Sequence, residues 1–243
     1  MKNVRFCQPD IPAYVIFWYA EAIKDDIGCL WNSFKKQVDF MKKSLMMLMV
    51  VATLAGAGSV QAAGDVAAGK ALSGVCMACH GPGGNSLNPM WPKLAGQHPN
   101  YIKKQLEFFK RGKRFDPVMA PMALPLNDKA IADLGAYFSS EKRTAGAADP
   151  KKAEQGKQIY YAGIPDKGVV ACGTCHGLEG YGNPGADFPN IASQHAFYVI
   201  KALKDYRSKK RTTDPAGLMQ GVAANMTDAE IDLVAYFIQS LKP

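Results

Sequence analysis

The sequence of 243 residues has no apolar run long enough to cross a bilayer. The run Ser44–Ala57 is only 14 residues, against the roughly 20 that a spanning helix needs. No Lys/Arg stripe is interleaved with aromatic residues, which excludes a nucleic-acid-binding surface despite the formal charge of +8. No segment alternates apolar and polar residues long enough to predict a sheet, so an all-α chain is expected. With 48% hydrophobic and 21% charged residues the composition is that of folded protein, neither collagenous nor of low complexity.

The short apolar run has its own meaning. Met41-Lys42-Lys43 is a basic start, Ser44–Ala57 an apolar centre, and Val60-Gln61-Ala62 offers small or apolar residues at −3 and −1 of a cleavage site. These are the three parts of an export signal, predicted to be removed after residue 62. Residues 1–40 lie upstream of a complete signal and read as a mis-assigned extension, with translation starting at Met41. The chain from Ala63 carries 22 basic and 16 acidic groups, a net charge of +6.

Four cysteines remain in that chain. They stand as Cys76-Met77-Ala78-Cys79-His80 and Cys172-Gly173-Thr174-Cys175-His176. Zinc would need the two pairs closer than the 92 residues that separate Cys79 from Cys172. Disulfides give no reason for a histidine after both pairs. Cys-x-x-Cys-His is the attachment pattern of a c-type haem. Residues three apart share one face of a helical turn, so both thiols can reach the vinyl groups of one porphyrin. The following histidine can then offer an imidazole nitrogen to iron. Two covalently attached haem c groups are expected, on Cys76 and Cys79 and on Cys172 and Cys175, with His80 and His176 as iron ligands.

The halves repeat. Cys76 maps to Cys172 at an offset of 96, Gln97-His98 and Tyr101 to Gln194-His195 and Tyr198 at 97, Arg114 to Arg211 at 97, and Asp128 to Asp228 at 100. Each half predicts three helices: Asp65–Cys79, Pro99–Gly112 and Asp128–Ser139, then Pro150–Tyr161, Ala196–Ser208 and Thr227–Leu241. Asn127 and Thr227 are candidate N-caps. Polar Glu141–Lys152 reads as a linker, giving domains at 63–145 and 146–243.

The repeat also narrows the second iron ligand. Of Met77, Met90, Met119, Met122, Met219 and Met226, only Met119 and Met219 match at the offset of 100, each nine residues before Asp128 or Asp228 in a segment read as a loop. A thioether is a soft neutral ligand that favours ferrous iron. The rival matched pair is His98 and His195, for which the sequence favours a structural or interdomain hydrogen-bonding role.

The order of export signal, Ala63-Gly64-Asp65, Cys-x-x-Cys-His, Pro92-Lys93-Leu94-Ala95-Gly96-Gln97, Met segment and Ala136-Tyr137-Phe138-Ser139-Ser140, then a second copy ending Met219-Gln220-Gly221-Val222-Ala223-Ala224, resembles the cytochrome c4 family. The resemblance covers essentially all of residues 63–243; the segment 85–90 matches only loosely. It implies two tandem class I cytochrome c domains related by a pseudo-twofold axis, each wrapped around one haem. It further implies His/Met iron, at His80/Met119 and His176/Met219. Pro92 and Pro189 would supply the carbonyls that accept from the ligand histidines. Family members are periplasmic, often membrane-associated, electron carriers. The expected partners are a quinol–cytochrome c oxidoreductase as donor and a haem–copper terminal oxidase as acceptor.

With both axial positions filled, iron cannot bind oxygen or peroxide without losing a ligand, so an electron carrier is expected rather than an enzyme. The competing readings are a dihaem peroxidase, a thiosulfate-oxidising enzyme, or the haem subunit of a dehydrogenase. Thiosulfate-oxidising relatives use a cysteine ligand, and no mature cysteine is left over. Residues 63–145 carry +5 and residues 146–243 carry +1. An acidic partner is therefore expected to dock on Lys103, Lys104, Lys110, Arg111, Lys113 and Arg114.

Overall fold

The computed structural model describes residues 35–42 and 64–243. The export signal and the upstream extension fall outside the described residues, apart from a helix α1 over 35–42. The segment from Ala62 to Pro243 is one compact unit. Among the described residues the regular structure is helical, with two isolated β-bridges, Ile164 to Val169 and Asn183 to Phe188. No helix among them is long and apolar enough to cross a membrane.

The first half contains α2 (Val66–Leu72), α3 (Gly74–His80), α4 (Pro99–Lys110), α5 (Met119–Ala123) and α6 (Asp128–Ser140). The second repeats the order with α7 (Pro150–Ala162), α8 (Gly173–His176), α9 (Ala196–Arg207), α10 (Leu218–Ala224) and α11 (Asp228–Ser240). In each half the first helix crosses the last. The crossing is close because a glycine sits at it. A Cβ on Gly69 would lie 2.0 Å from the Asp133 carbonyl oxygen, and one on Gly156 would lie 2.0 Å from that of Leu233. The apolar stripes of α6 and α11 supply the cores, with Ile131, Leu134 and Phe138 buried in one and Ile231, Val234 and Ile238 in the other.

The expected caps form. The Asn127 side chain accepts from the Ala130 N–H at 2.8 Å. Thr227 and Glu230 close a capping box, satisfying donors that the helix start leaves unpaired. Two expectations change. The helix expected over Asp65–Cys79 is broken at Ser73, whose hydroxyl and N–H both turn back to the Lys70 carbonyl, so α3 starts afresh and sets its own direction. The Met segments are short helices, not loops: Asp116 accepts from the Val118 and Met119 N–H groups at 3.0 Å and Asp214 from Gln220 N–H at 3.0 Å.

The stretch 141–152 is no loose tether. Arg143 is buried, and its guanidinium donates to the carbonyls of Ala95, Asn190 and Ala192. Asn85 pins Thr144, and Pro150 already begins α7.

Candidate functional site

The two Cys-x-x-Cys-His motifs end the short helices α3 and α8. Each is followed by a glycine at positive φ, +76° at Gly81 and +78° at Gly177. A side chain at Gly81 would meet the Asn85 carbonyl oxygen at 2.2 Å, so only glycine turns the chain sharply after the histidine. The histidine rings are then fixed from the far side. His80 Nδ1 donates to the Pro92 carbonyl at 2.8 Å, and His176 Nδ1 donates to that of Pro189 at 3.0 Å. Each bond leaves Nε2 as the nitrogen for a metal and holds the tautomer that offers it. Burial lowers the pKa of both rings, more than the bonds to Pro92 and Pro189 raise it, so both rings are neutral, as iron ligation requires.

One continuous cavity of about 1120 Å³ is lined by both motifs, Cys76, Cys79 and His80 with Cys172, Cys175 and His176. Met119 and Met219 line it too. None of the four cysteines is joined in a disulfide. Burial pushes the Cys76 thiol up and the Cys172 thiol up to about 11. Among the described residues no cluster of three His, Cys, Asp or Glu side chains gathers around a metal position. The donor set is one imidazole and one thioether per half beside two thiols, which suits iron in a porphyrin and not a bare ion.

The remaining methionines divide. Met122 and Met226 also line the cavity, the first half exposed and the second packed in the core. Met90 lines it as well and is half exposed, whereas Met77 lies 4.0 Å from the Tyr137 hydroxyl. His98 and His195 do what the sequence favoured. His98 Nε2 donates to the Tyr181 carbonyl at 2.8 Å, and His195 Nε2 to the Ser86 carbonyl at 2.9 Å, each across the halves.

Between the motifs the cavity is lined by a crossed pair of arginines. Arg114 donates to the Tyr198 hydroxyl at 3.1 Å and Arg211 to the Tyr101 hydroxyl at 2.8 Å. Gln105 accepts from both guanidiniums. Burial pushes the Tyr198 phenol up, but the two arginines outweigh it and bring it down to about 8. Arg211 Nε is buried without a partner. An orphaned cationic donor in this cavity fits a group that brings carboxylates, as haem brings its propionates. The repeat had marked Arg114 and Arg211 as matched, but the sequence placed Arg114 in a docking patch and gave Arg211 no role.

The cytochrome c family model matches residues 66–142 and again 153–242. Cytochrome c4 of Thiocapsa roseopersicina is 49% identical over 180 residues, covering 73% of this chain and 93% of that protein. The chain belongs to the cytochrome c4 family. The crystal structure of reduced recombinant cytochrome c4 from Pseudomonas stutzeri superposes with a TM-score of 0.72 at 42% identity, over 74% of this chain and all of that one. A protein of Thiomonas intermedia named thiosulfate dehydrogenase electron acceptor is 36% identical over 203 residues, 81% of this chain and 92% of its own length. The chain is thus a dihaem cytochrome c4 that transfers electrons and is not an enzyme. Its two cytochrome c domains bind covalent haem c at the Cys76/Cys79 and Cys172/Cys175 motifs.

Three cations of the basic docking patch expected from sequence have partners within the protein. Lys104 pairs with Asp187 of the other half, Lys110 donates to the Leu126 carbonyl, and Arg114 faces Tyr198. Half of the six cations are already engaged within the protein.

Proposed function

We propose that this cytochrome c4 works in the periplasm, after removal of residues 41–62, as two domains at 63–145 and 146–243. It takes electrons from a quinol–cytochrome c oxidoreductase and passes them to a haem–copper terminal oxidase, as a free carrier or held peripherally at the membrane surface. Cys76, Cys79, Cys172 and Cys175 would hold the two haems through thioethers, and His80 with Met119 and His176 with Met219 would ligate their irons. Each haem, when bound, supplies one-electron iron chemistry. The chain's part is to keep the coordination unchanged as iron changes charge. Pro92 and Pro189 fix the imidazoles, and the Asp116 and Asp214 caps fix the starts of the helices that carry the methionines. The single observation that carries this reading is that the cavity wall holds, in each half, an Nδ1-tethered histidine and a methionine at matched repeat positions, Met119 and Met219.

The Thiomonas relative supports a second reading, in which the donor is a sulfur-compound dehydrogenase. Cyanide titration of the oxidised protein tests the carrier assignment. A visible spectrum unmoved by cyanide, with two haems per chain by pyridine haemochrome, is expected. Rapid cyanide binding would reveal an open iron and contradict it.

A further inference from the structure

We propose that the mouth of the N-terminal haem site, and not its counterpart in the C-terminal half, is the docking surface for a redox protein with an acidic rim around an apolar contact. The proposal rests on the carrier reading above and adds where the partner sits and what its face is made of.

Leu72, Val75, Val118 and Met122 line the cavity and are also exposed, so they form its rim. Phe115 and Leu124, on the same segment as Val118 and Met122, are 80% and 64% exposed. At the repeat offsets the second half has Ala171, Leu218, Val222, Thr212 and Ala224 in place of Val75, Val118, Met122, Phe115 and Leu124. Of these five only Leu218 gains in size; the others are smaller or polar, and the crossing glycines set Leu72 against Ile159, which is buried. The second mouth has Val170 and Leu218 as its exposed large apolar residues. The halves share a fold, so core packing does not demand this difference.

Lys209 and Lys210 of the second half are also exposed and in no ion pair, but the halves differ in net charge, +5 for residues 63–145 against +1 for 146–243. Six ion pairs among the described residues join cations of the C-terminal half to its own carboxylates, among them Lys152–Asp232, Lys167–Glu230 and Lys204–Asp228. The N-terminal half has one internal pair, Lys129–Asp133. Arg111 and Lys113, both exposed, are in no ion pair, and Lys113 lines the cavity beside Phe115. Asp116, the carboxylate nearest Lys113 in sequence, is spent on backbone N–H groups of Val118 and Met119. An apolar centre beside unneutralised cations has the anatomy of a protein interface, and such cations speed encounter with a partner of opposite sign. Lipid is the less favoured occupant, since it would cover the mouth through which a carrier must exchange electrons.

The test is stopped-flow transfer of one electron from the reduced holoprotein to the oxidised copper centre of an isolated Cu(A)-bearing oxidase domain. Every variant is used at two haems per chain. Arg111→Glu with Lys113→Glu is expected to lower the second-order rate about tenfold or more at low salt and to flatten its salt dependence. Phe115→Thr with Leu124→Ala, which installs the residues of the second half, is expected to lower the rate about tenfold at every salt concentration. Lys209→Glu with Lys210→Glu at the second mouth is expected to change it less than about twofold. The proposal is overturned if the second-mouth variant slows transfer as much, if neither N-terminal variant does, or if those same residues instead bind anionic vesicles. Tris(1,10-phenanthroline)cobalt(III), a small one-electron oxidant of higher potential than His/Met haem, separates the two claims: reduced wild-type protein that cannot reduce this complex refutes the carrier reading itself.

Discussion

The Gln194 side-chain amide closes a two-bond ring on the backbone of Lys93, accepting from its N–H at 2.8 Å and donating to its carbonyl at 3.0 Å. Gln97 does the same to Asn190 from the other half, accepting from its N–H at 2.9 Å and donating to its carbonyl at 2.8 Å. This reciprocity is the pseudo-twofold axis written in hydrogen bonds. Lys93 and Asn190 each follow the proline that tethers a ligand histidine, by one residue. The clamp between domains and the support of the iron ligand therefore share one short strip of backbone.

Removing either amide leaves a backbone N–H without its partner, at Lys93 a buried one. Such an orphan costs about 1–3 kcal/mol. Gln194→Ala should therefore lower the calorimetric Tm by several degrees. Gln97→Ala with Gln194→Ala should split a single transition into two as the halves uncouple. A double variant that unfolds in one unshifted step would show that the clamp is not what holds the domains together.

Acid should act on the same interface through histidine. Burial lowers the pKa of His98 and His195 below the usual 6.5, more than the bonds to Tyr181 and Ser86 raise it. The unfolded chain then binds more protons than the native one once pH falls below 6.5. The stabilisation from these groups is full above that value and is lost as pH drops through the lowered native pKa. Thermal unfolding followed from pH 7.5 to 5 should show a falling Tm, with a shallower fall in His98→Gln with His195→Gln. An equal slope in the variant would contradict this assignment.

The helix crossings tolerate no side chain. Gly69→Ala and Gly156→Ala would each press a methyl group onto a backbone carbonyl, and overpacking of this kind costs about 1–3 kcal/mol or more. Gly74, in α3 with nothing within 4 Å of its would-be Cβ, is the control. Gly74→Ala should leave Tm unchanged or raise it slightly, and equal losses at all three positions would refute the packing argument.

Much of this was legible in the sequence because the repeat supplied an internal comparison. Cys76 and Cys172 were found by their motif and Met119 and Met219 by offset, and the structure brings all four to one cavity. The helix stripes and the Asn127 and Thr227 caps were readable for the usual local reasons. What escaped has long-range causes. Gln97 and Gln194 were seen to match, but a glutamine beside a histidine carries no signal of the backbone it will grip 93 or 101 residues away. Gly69 looks like a flaw in a helix until the crossing helix is in place. The break at Ser73 was hidden because Ala, Leu and Val continue at helical spacing on both sides of it. The matched Asp116-Pro117 and Asp214-Pro215 were a missed signal: an aspartate before proline is a helix-start pattern, and it would have placed the methionines on helices.

The account stands most directly on the near-infrared thioether-to-iron charge-transfer band of the oxidised holoprotein, measured per haem. Wild type should show it at the strength of two Met-bound irons, Met119→Ala and Met219→Ala at half that strength each, and the double variant not at all. An undiminished band in either single variant, or no band in the wild type, would contradict it.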